Sequence, residues 1–156
     1  MQRRSHNKDS FPDCLDISSA GHVPHGMDFL ETAKKELEEE LGIKIEGIEL
    51  VRSFIQHFSK VSEQHGEVFN NNEINMVYIL KKDIDISEIK LQEEEVSEVI
   101  WLQAETVLEK IKAMDSEYCL DELEFTKVLQ AIKEREKKKL PRRSIRTMNF
   151  EKGQDR

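Results

Sequence analysis

The hydrophobic and polar positions of the chain follow their clearest pattern between Asp28 and Leu41. Apolar residues recur at positions 30, 33, 37 and 41, the spacing that places side chains on one face of an amphipathic helix. Asp28 can serve as the N-cap with Glu31 three residues later, and Gly42 is the type of residue at which helices end. The pattern therefore predicts a helix over residues 28–41.

Strand and helix patterns alternate along the rest of the chain. We predict strands at 14–20, 48–58, 74–80 and 96–102, and helices at 104–113 and 121–139. The segment 74–80 is apolar on both faces, which is typical of a central strand, and the polar stretch before it is expected to be a loop. The side chains expected in the core include Trp101 and, on the last helix, Leu123, Val128, Leu129 and Ile132. These elements predict an α/β or α+β fold in one domain over residues 1–139, with a flexible tail over 140–156.

Composition narrows the class of protein. The 156 residues suit a single domain, and 32 acidic against 24 basic residues give a net charge of −8. Because broad nucleic-acid binding needs a basic surface, this excess of acid argues against it. No apolar run approaches the length of about 20 residues that a membrane helix needs, and residues 1–6 do not lead into a secretory signal. Cys14 and Cys119 form no CxxC motif and suit a reducing cytoplasm, although a disulfide between them stays an alternative.

The predicted helix carries a concentrated group of carboxylates. Glu36, Glu39 and Glu40 stand at positions i, i+3 and i+4, so they share one helix face. Like charges at this spacing destabilise a helix by a few tenths of a kcal/mol per pair, roughly. A hard divalent cation such as Mg²⁺ would neutralise them and keep water ligands for a phosphate substrate. The alternative is a solvated acidic face, which is common on exposed helices.

The segment from Gly21 to Ile43 resembles the Nudix box, GX5EX7REUXEEXGU, in which U is a bulky apolar residue. The spacing is without gaps: Gly21 falls on the first glycine, and the three glutamates of the helix fall on the last three of the motif. Two positions depart from it, because Met27 replaces the first glutamate and Lys35 replaces the arginine. In the family these two positions usually form an ion pair that steadies the box.

The resemblance implies a fold, a metal and a reaction. The fold would be α+β, a Nudix-type α/β/α sandwich with a mixed central sheet. Mg²⁺, or alternatively Mn²⁺, would be held by Glu36, Glu39 and Glu40 with the backbone carbonyl of Gly21. The reaction would be hydrolysis of a diphosphate linkage in a nucleoside diphosphate derivative or a related small organic diphosphate. The general base would be Glu39 or an acid of the run 93–95, in which we single out Glu94 and Glu95.

The flanking sequence resembles one branch of that family, the proteins related to isopentenyl-diphosphate isomerase. This resemblance rests on residues 3–12 and 16–22 and extends through Trp101. It implies that Arg4 and Lys8 grip the diphosphate. It also places His22 and Glu73 at the substrate site.

The isomerase chemistry itself is not expected in this chain. The cysteine that isomerases carry before the Gly-His pair is Ala20 here, and Asn71 replaces the first acid of a Glu-x-Glu pair. Hydrolysis is therefore the favoured reaction. An isomerase-like enzyme and a non-catalytic module that binds a diphosphate are the alternatives.

The start of the chain suggests an unusual sheet edge. Family members have at least one strand before the segment Gln-Arg-Arg-Ser, and this sequence begins at that segment. A missing strand would leave a sheet edge unpaired, and such an edge favours association. We therefore expect an N-terminally short domain that forms a homodimer.

Overall fold

The computed structural model describes residues 1–46, 49–64 and 67–139. Its helices and strands follow one another in the order β1 (Gln2–Arg4), β2 (Leu15–Asp16), α1 (Phe29–Leu41), β3 (Leu50–Gln64), β4 (Glu67–Leu80), β5 (Val96–Val99), α2 (Ala104–Lys112) and α3 (Glu122–Lys139). A short 3₁₀ turn at Ile86–Glu88 precedes β5. The segment predicted to be a tail, 140–156, lies outside the described residues.

Helix α1 forms where the sequence predicts it. The Asp28 carboxylate accepts a hydrogen bond from the backbone N–H of Glu31 at 2.8 Å, which is the expected N-cap. At the other end Gly42 adopts φ 68°, a left-handed conformation that glycine takes without a steric penalty. Leu37 and Leu41 are buried, but Leu30 is 36% exposed because the first turn of the helix extends beyond the core.

The core brings α1 against the segments that follow it. Leu37 and Leu41 pack with Ile43, Ile45, Leu50 and Val96 in one buried cluster. The backbone of residues 90–92 also binds the end of the helix, since Lys90 N donates to Leu41 O at 3.1 Å and Gln92 N to Glu40 O at 3.0 Å. These contacts place the residues before β5 beside the last turn of α1.

The strands form two antiparallel sheets. β1 lies between β2 and β5 in a sheet of order β2-β1-β5, and β3 pairs with β4 in a long hairpin. The predicted α+β class is confirmed, and in the described residues the ladders of both sheets are antiparallel. Strands β1, β2 and β5 have only two to four residues each. Most of their backbone groups are used in pairing with one another, so few are left to pair with a further strand. The parallel pairing that the described residues contain is the isolated bridge between Leu15 and Tyr118.

The hairpin corrects two predictions. The expected polar loop before residue 74 is instead strand, because β3 runs to Gln64 and β4 starts at Glu67. The segment 74–80 is a strand as predicted, but its partner among the described strands is β3, so it is not central. Ile74 is 63% exposed, whereas Tyr78 and Leu80 on the same face of β4 pack against the core. A backbone ladder needs no apolar side chains, which is why a polar segment can extend it.

The C-terminal helix packs against the hairpin. Lys127 Nζ donates to Gln56 Oε1 at 2.9 Å and lies 5.9 Å from the centre of the Phe54 ring. Val128, Leu129 and Ile132 are half-buried, as predicted. Leu123 is 59% exposed and Trp101 is 70% exposed, so the prediction that they lie in the core is wrong. Both stand at element boundaries, where the chain leaves the packed surface.

Across the parts of the chain that the structure describes, no helix combines the length and the apolar character that crossing a membrane requires.

Candidate functional site

A cleft opens between α1, the loop before it and the residues that lead into β5. Its lining residues are Lys8, Ala20, Gly21, His22, Glu36, Glu39, Glu40, Gln92 and Glu95. Seven of the site residues predicted from the sequence are therefore brought together here. The lining is dominated by carboxylates, as a cation site would need.

Gly21 lies directly against the carboxylate of Glu36. A Cβ atom at Gly21 would lie 2.5 Å from Oε1 and 2.6 Å from Cγ of Glu36, closer than real Cβ contacts allow. A residue with a Cβ atom at this position would displace the flexible end of the Glu36 side chain. Glycine thus lets this carboxylate of the cleft lie directly against the loop.

Glu40 is the buried carboxylate of the group. The residue is 5% exposed, and its Oε2 has no hydrogen-bond partner among the described residues. Burial raises the pKa of Glu40, and the charges of Glu36 and Glu95 raise it further. Ser19 and the Ala20 backbone lie close enough to lower that pKa. The Ser19 hydroxyl nevertheless makes no hydrogen bond with good geometry among the described residues. A buried carboxylate with one unpartnered oxygen therefore lies close to other acids.

Glu39 is held on the exposed side of the helix by a lysine. Lys35 Nζ donates to Glu39 Oε2 at 2.5 Å and lies 3.9 Å from Glu36 Oε1. The hydrogen bond to Glu39 is the main reason that the pKa of Lys35 is raised. Lys35, which replaces the arginine of the motif, therefore offsets part of the repulsion among the glutamates.

Lys8 and Glu95 form an ion pair within the cleft. Both side chains are partly exposed, at 28% and 36%. The backbone reinforces the pair, because Ser5 N donates to Glu95 O at 2.9 Å and Lys8 N donates to Ser5 O at 3.2 Å. The N-terminal loop is thereby fixed against the turn that carries Glu95.

His22 and Glu73 meet at the rim of the cleft. Their closest nitrogen and oxygen atoms are 3.7 Å apart, and the His22 side chain is 96% exposed. This contact joins the loop before α1 to the β4 strand. It is longer than a hydrogen bond, so it places the two residues together without fixing them.

Three predicted site residues are not among the lining residues: Glu73, which lies at the rim beside His22, Arg4 and Glu94. The Arg4 guanidinium donates to Asp16 Oδ2 at 3.0 Å and to Ser10 O at 2.9 and 3.1 Å, so its donors serve the protein itself. Glu94 is exposed in the turn before β5. Their predicted roles stay predictions.

Gln92 and Ala20 line the cleft and were not predicted as site residues. Gln92 is placed there by its backbone bond to the end of α1. No sequence signal marks it, because it is a single polar residue within a polar connecting segment.

The donor set of the cleft fits a divalent cation. Hard cations prefer carboxylate oxygen, and the unpartnered Oε2 of Glu40 is such a ligand. In the described residues no three acidic, histidine or cysteine side chains are already arranged to hold one ion. Glu39 is bound by Lys35 and Glu95 by Lys8, so a cation would have to draw at least one of them out of its pair.

The NUDIX domain family model matches residues 1–123, and the chain belongs to the Nudix family. It is 35% identical over 139 residues to Nudix hydrolase 3 of Arabidopsis thaliana, a match that covers 86% of this chain and 18% of that protein. It is 29% identical over 125 residues to an uncharacterized Nudix hydrolase of Pseudomonas aeruginosa, covering 80% and 64%. A third relative, from Yersinia pestis, is 33% identical over 124 residues, covering 79% and 58%.

These matches confirm the Nudix resemblance that the box residues suggested. The chain spans less than two thirds of the length of each of these three relatives. The names of the three identify them as Nudix hydrolases and do not mention isomerases. The isomerase-like branch stays a prediction.

Proposed function

We propose that this chain is a Nudix hydrolase that uses Mg²⁺, or alternatively Mn²⁺, to cleave a diphosphate linkage. The substrate would be a nucleoside diphosphate derivative or a related small organic diphosphate. The observation that carries the proposal is the carboxylate cleft, which Glu40 lines together with Glu36 and Glu95 and in which the buried Oε2 of Glu40 lacks a partner among the described residues.

The metal would be held by Glu36, Glu39 and Glu40, with the backbone carbonyl of Gly21 as a further ligand. When bound, such an ion neutralises phosphate charge and lowers the pKa of a water molecule. The contact between Gly21 and Glu36 supports this assignment, since it keeps the Glu36 carboxylate close to the loop backbone.

The general base would be Glu39 or Glu95. Either carboxylate oxygen would take a proton from the attacking water, and the cleft lining includes both residues. Glu94 is the third predicted base, and its exposure in the turn makes it the least supported. Lys8 would donate to phosphate oxygens, while His22 and Glu73 would contact the substrate at the rim.

Arg4 would act on the diphosphate indirectly. It was predicted to grip the phosphates beside Lys8, but its guanidinium binds Ser10 O and Asp16. These bonds close the loop of residues 5–13 that carries Lys8. We therefore propose that Arg4 shapes this loop.

The surroundings proposed for the protein are a reducing cytoplasm. Cys14 and Cys119 are both free thiols. The pKa of Cys119 is raised to about 12, mainly by burial of the thiol. The thiol is therefore protonated and unreactive.

A phosphate-release screen tests the proposed function. Nucleotide sugars, dinucleoside polyphosphates, ADP-ribose and prenyl diphosphates would be incubated with the protein and Mg²⁺ or Mn²⁺. We expect turnover of at least one, and a loss of about 100-fold or more in Glu39→Gln and Glu40→Gln. Glu38→Gln is the matched control, because Glu38 lies on the same helix in an exposed pair with Lys44.

Three outcomes would contradict the hydrolase. Full activity in both glutamate variants would exclude the carboxylate mechanism. Tight binding of a diphosphate without turnover would favour a non-catalytic module. Conversion of isopentenyl diphosphate to its isomer without phosphate release would favour the isomerase.

A further inference from the structure

Lys8 is the one lysine or arginine among the residues that line the described cleft. It faces four carboxylates, those of Glu36, Glu39, Glu40 and Glu95, and it is paired with the last of these. The other basic side chain close to this group, Lys35, binds Glu39 and is not a lining residue. Lys8 is thus an internal cation in a cleft whose composition suits a metal ion.

The position of Lys8 is set by the backbone on both sides of the pair. Ser5 N binds Glu95 O, and Lys8 N binds Ser5 O, so the loop and the turn approach each other before the side chains meet. The loop is closed from the other end by Arg4, which donates to Ser10 O. The Lys8–Glu95 contact is therefore built into the fold of this segment.

The ion pair occupies the Lys8 ammonium and the Glu95 carboxylate, and the proposed reaction needs both groups for other contacts. While Lys8 binds Glu95, the ammonium is not available to phosphate oxygens and the carboxylate is not available to a metal or a water. Resting on the proposed function, we infer that Glu95 can also bind the divalent cation, and that Lys8 competes with this cation for the Glu95 carboxylate. Arrival of the diphosphate transfers Lys8 from Glu95 to the substrate, which frees Glu95 for its part in catalysis.

The competition predicts effects of opposite sign on two ligands. Removing the charge of Lys8 frees Glu95 and removes a repulsion, so the metal binds more tightly. The same change removes a donor to phosphate, so a diphosphate binds more weakly. A merely structural role for Lys8 would weaken both ligands together.

The first measurement is a titration of the protein with Mn²⁺ in the absence of substrate. The electron paramagnetic resonance signal of the free ion reports how much Mn²⁺ remains unbound. We expect Lys8→Gln to bind Mn²⁺ about two- to fivefold more tightly than the parent, the range for a partly exposed ion pair. Lys8→Arg keeps the charge and should retain the parent affinity. Lys44→Gln is the matched control, because it removes an equal charge from an exposed pair with Glu38 outside the cleft.

A double-mutant cycle isolates the pair from general electrostatics. In a Glu95→Gln background the Lys8→Gln change should tighten Mn²⁺ binding less than it does in the parent, because only the loss of the Lys8 charge remains. The second measurement is calorimetric binding of inorganic pyrophosphate at saturating Mg²⁺, for which Lys8→Gln should be at least fivefold weaker than the parent. A cooperative thermal melt of each variant excludes misfolding as the cause.

The failures of the two proposals are distinguishable. If the parent binds no Mn²⁺, the proposed metal-dependent function fails. If the parent binds Mn²⁺ but Lys8→Gln binds it equally or less tightly, the competition is overturned and the function stands. A Lys8→Gln effect of equal size in the Glu95→Gln background would also overturn it.

Discussion

The residue that best shows a conflict between stability and function is Glu40. Its side chain is buried, and one carboxylate oxygen has no hydrogen-bond partner among the described residues. Such an oxygen destabilises the fold by about 1–3 kcal/mol. Nothing in the packing of α1 requires an acid at this position. The arrangement is understandable if the missing partner is a cation that the proposed reaction supplies.

The first prediction concerns Glu40 and pH. Because the folded-state pKa of Glu40 is raised, its contribution to stability is greatest below its ordinary pKa and is lost as pH rises through the raised value. In metal-free buffer at pH 7, Glu40→Gln should therefore raise the Tm by about 2–4 °C, equivalent to about 1 kcal/mol. Thermal melts between pH 4 and 8 measure this, with Glu39→Gln as the exposed control. A lower Tm for Glu40→Gln at pH 7 would contradict the prediction.

The second prediction concerns Gly21. In Gly21→Ala the new Cβ must displace the Glu36 side chain, so Mn²⁺ affinity should fall about tenfold while the Tm changes little. Titration of Mn²⁺ and a thermal melt give the two quantities. Ser18→Ala, in the same loop and exposed, should leave both unchanged. An unchanged Mn²⁺ affinity in Gly21→Ala would show that this close approach has no functional weight.

At the scale of elements, α1 could be predicted and the hairpin could not. The helix is specified locally, by its period, by Asp28 at one end and by Gly42 at the other. The hairpin is specified by backbone pairing between its two strands, for example between Ser59 and Asn72. Polar residues of this kind do not form the hydrophobic pattern by which a strand is predicted from sequence. Ile74 was predicted to be buried from its apolar neighbours, of which Tyr78 and Leu80 do pack against the core from the same face of β4, but Ile74 itself is 63% exposed.

The third prediction tests whether Ile74 contributes to the packing of β4. Ile74 is 63% exposed, so Ile74→Lys should change the free energy of unfolding by less than about 0.5 kcal/mol. Val77 lies on the opposite face and is half-buried, so Val77→Lys should destabilise by more than about 2 kcal/mol. Urea unfolding measures both. If both substitutions lowered the free energy of unfolding by equal, large amounts, the prediction of a central strand buried on both faces would stand.

At the scale of the whole molecule, the cleft joins segments that are distant in the sequence. Gly21, Glu36, Glu39 and Glu40 lie within one motif, and their meeting could be predicted from the sequence. Lys8 and Glu95 were predicted through family resemblance, but their mutual ion pair was not, since 87 residues separate them. Gln92 was missed because its place depends on a backbone bond to α1.

The fourth prediction concerns association. β3 and β4 pair with each other, and no third strand among the described residues joins either of them. Unpaired strand edges favour pairing with a second copy, so the homodimer stays our prediction. Sedimentation equilibrium from low to high micromolar concentration measures it. A monomer over the whole range would contradict it.

The backbone bonds from residues 90 and 92 to the end of α1 have a mechanical consequence. They bind the helix and the approach to β5 into one unit, so Glu40 and Glu95 stand on a common frame whose spacing does not depend on side-chain rotation. The loop that carries Lys8 is fixed to the same frame by the backbone bond from Ser5 N to Glu95 O. When Lys8 leaves Glu95 for a substrate, its side chain should therefore move while the backbone around the carboxylates stays in place.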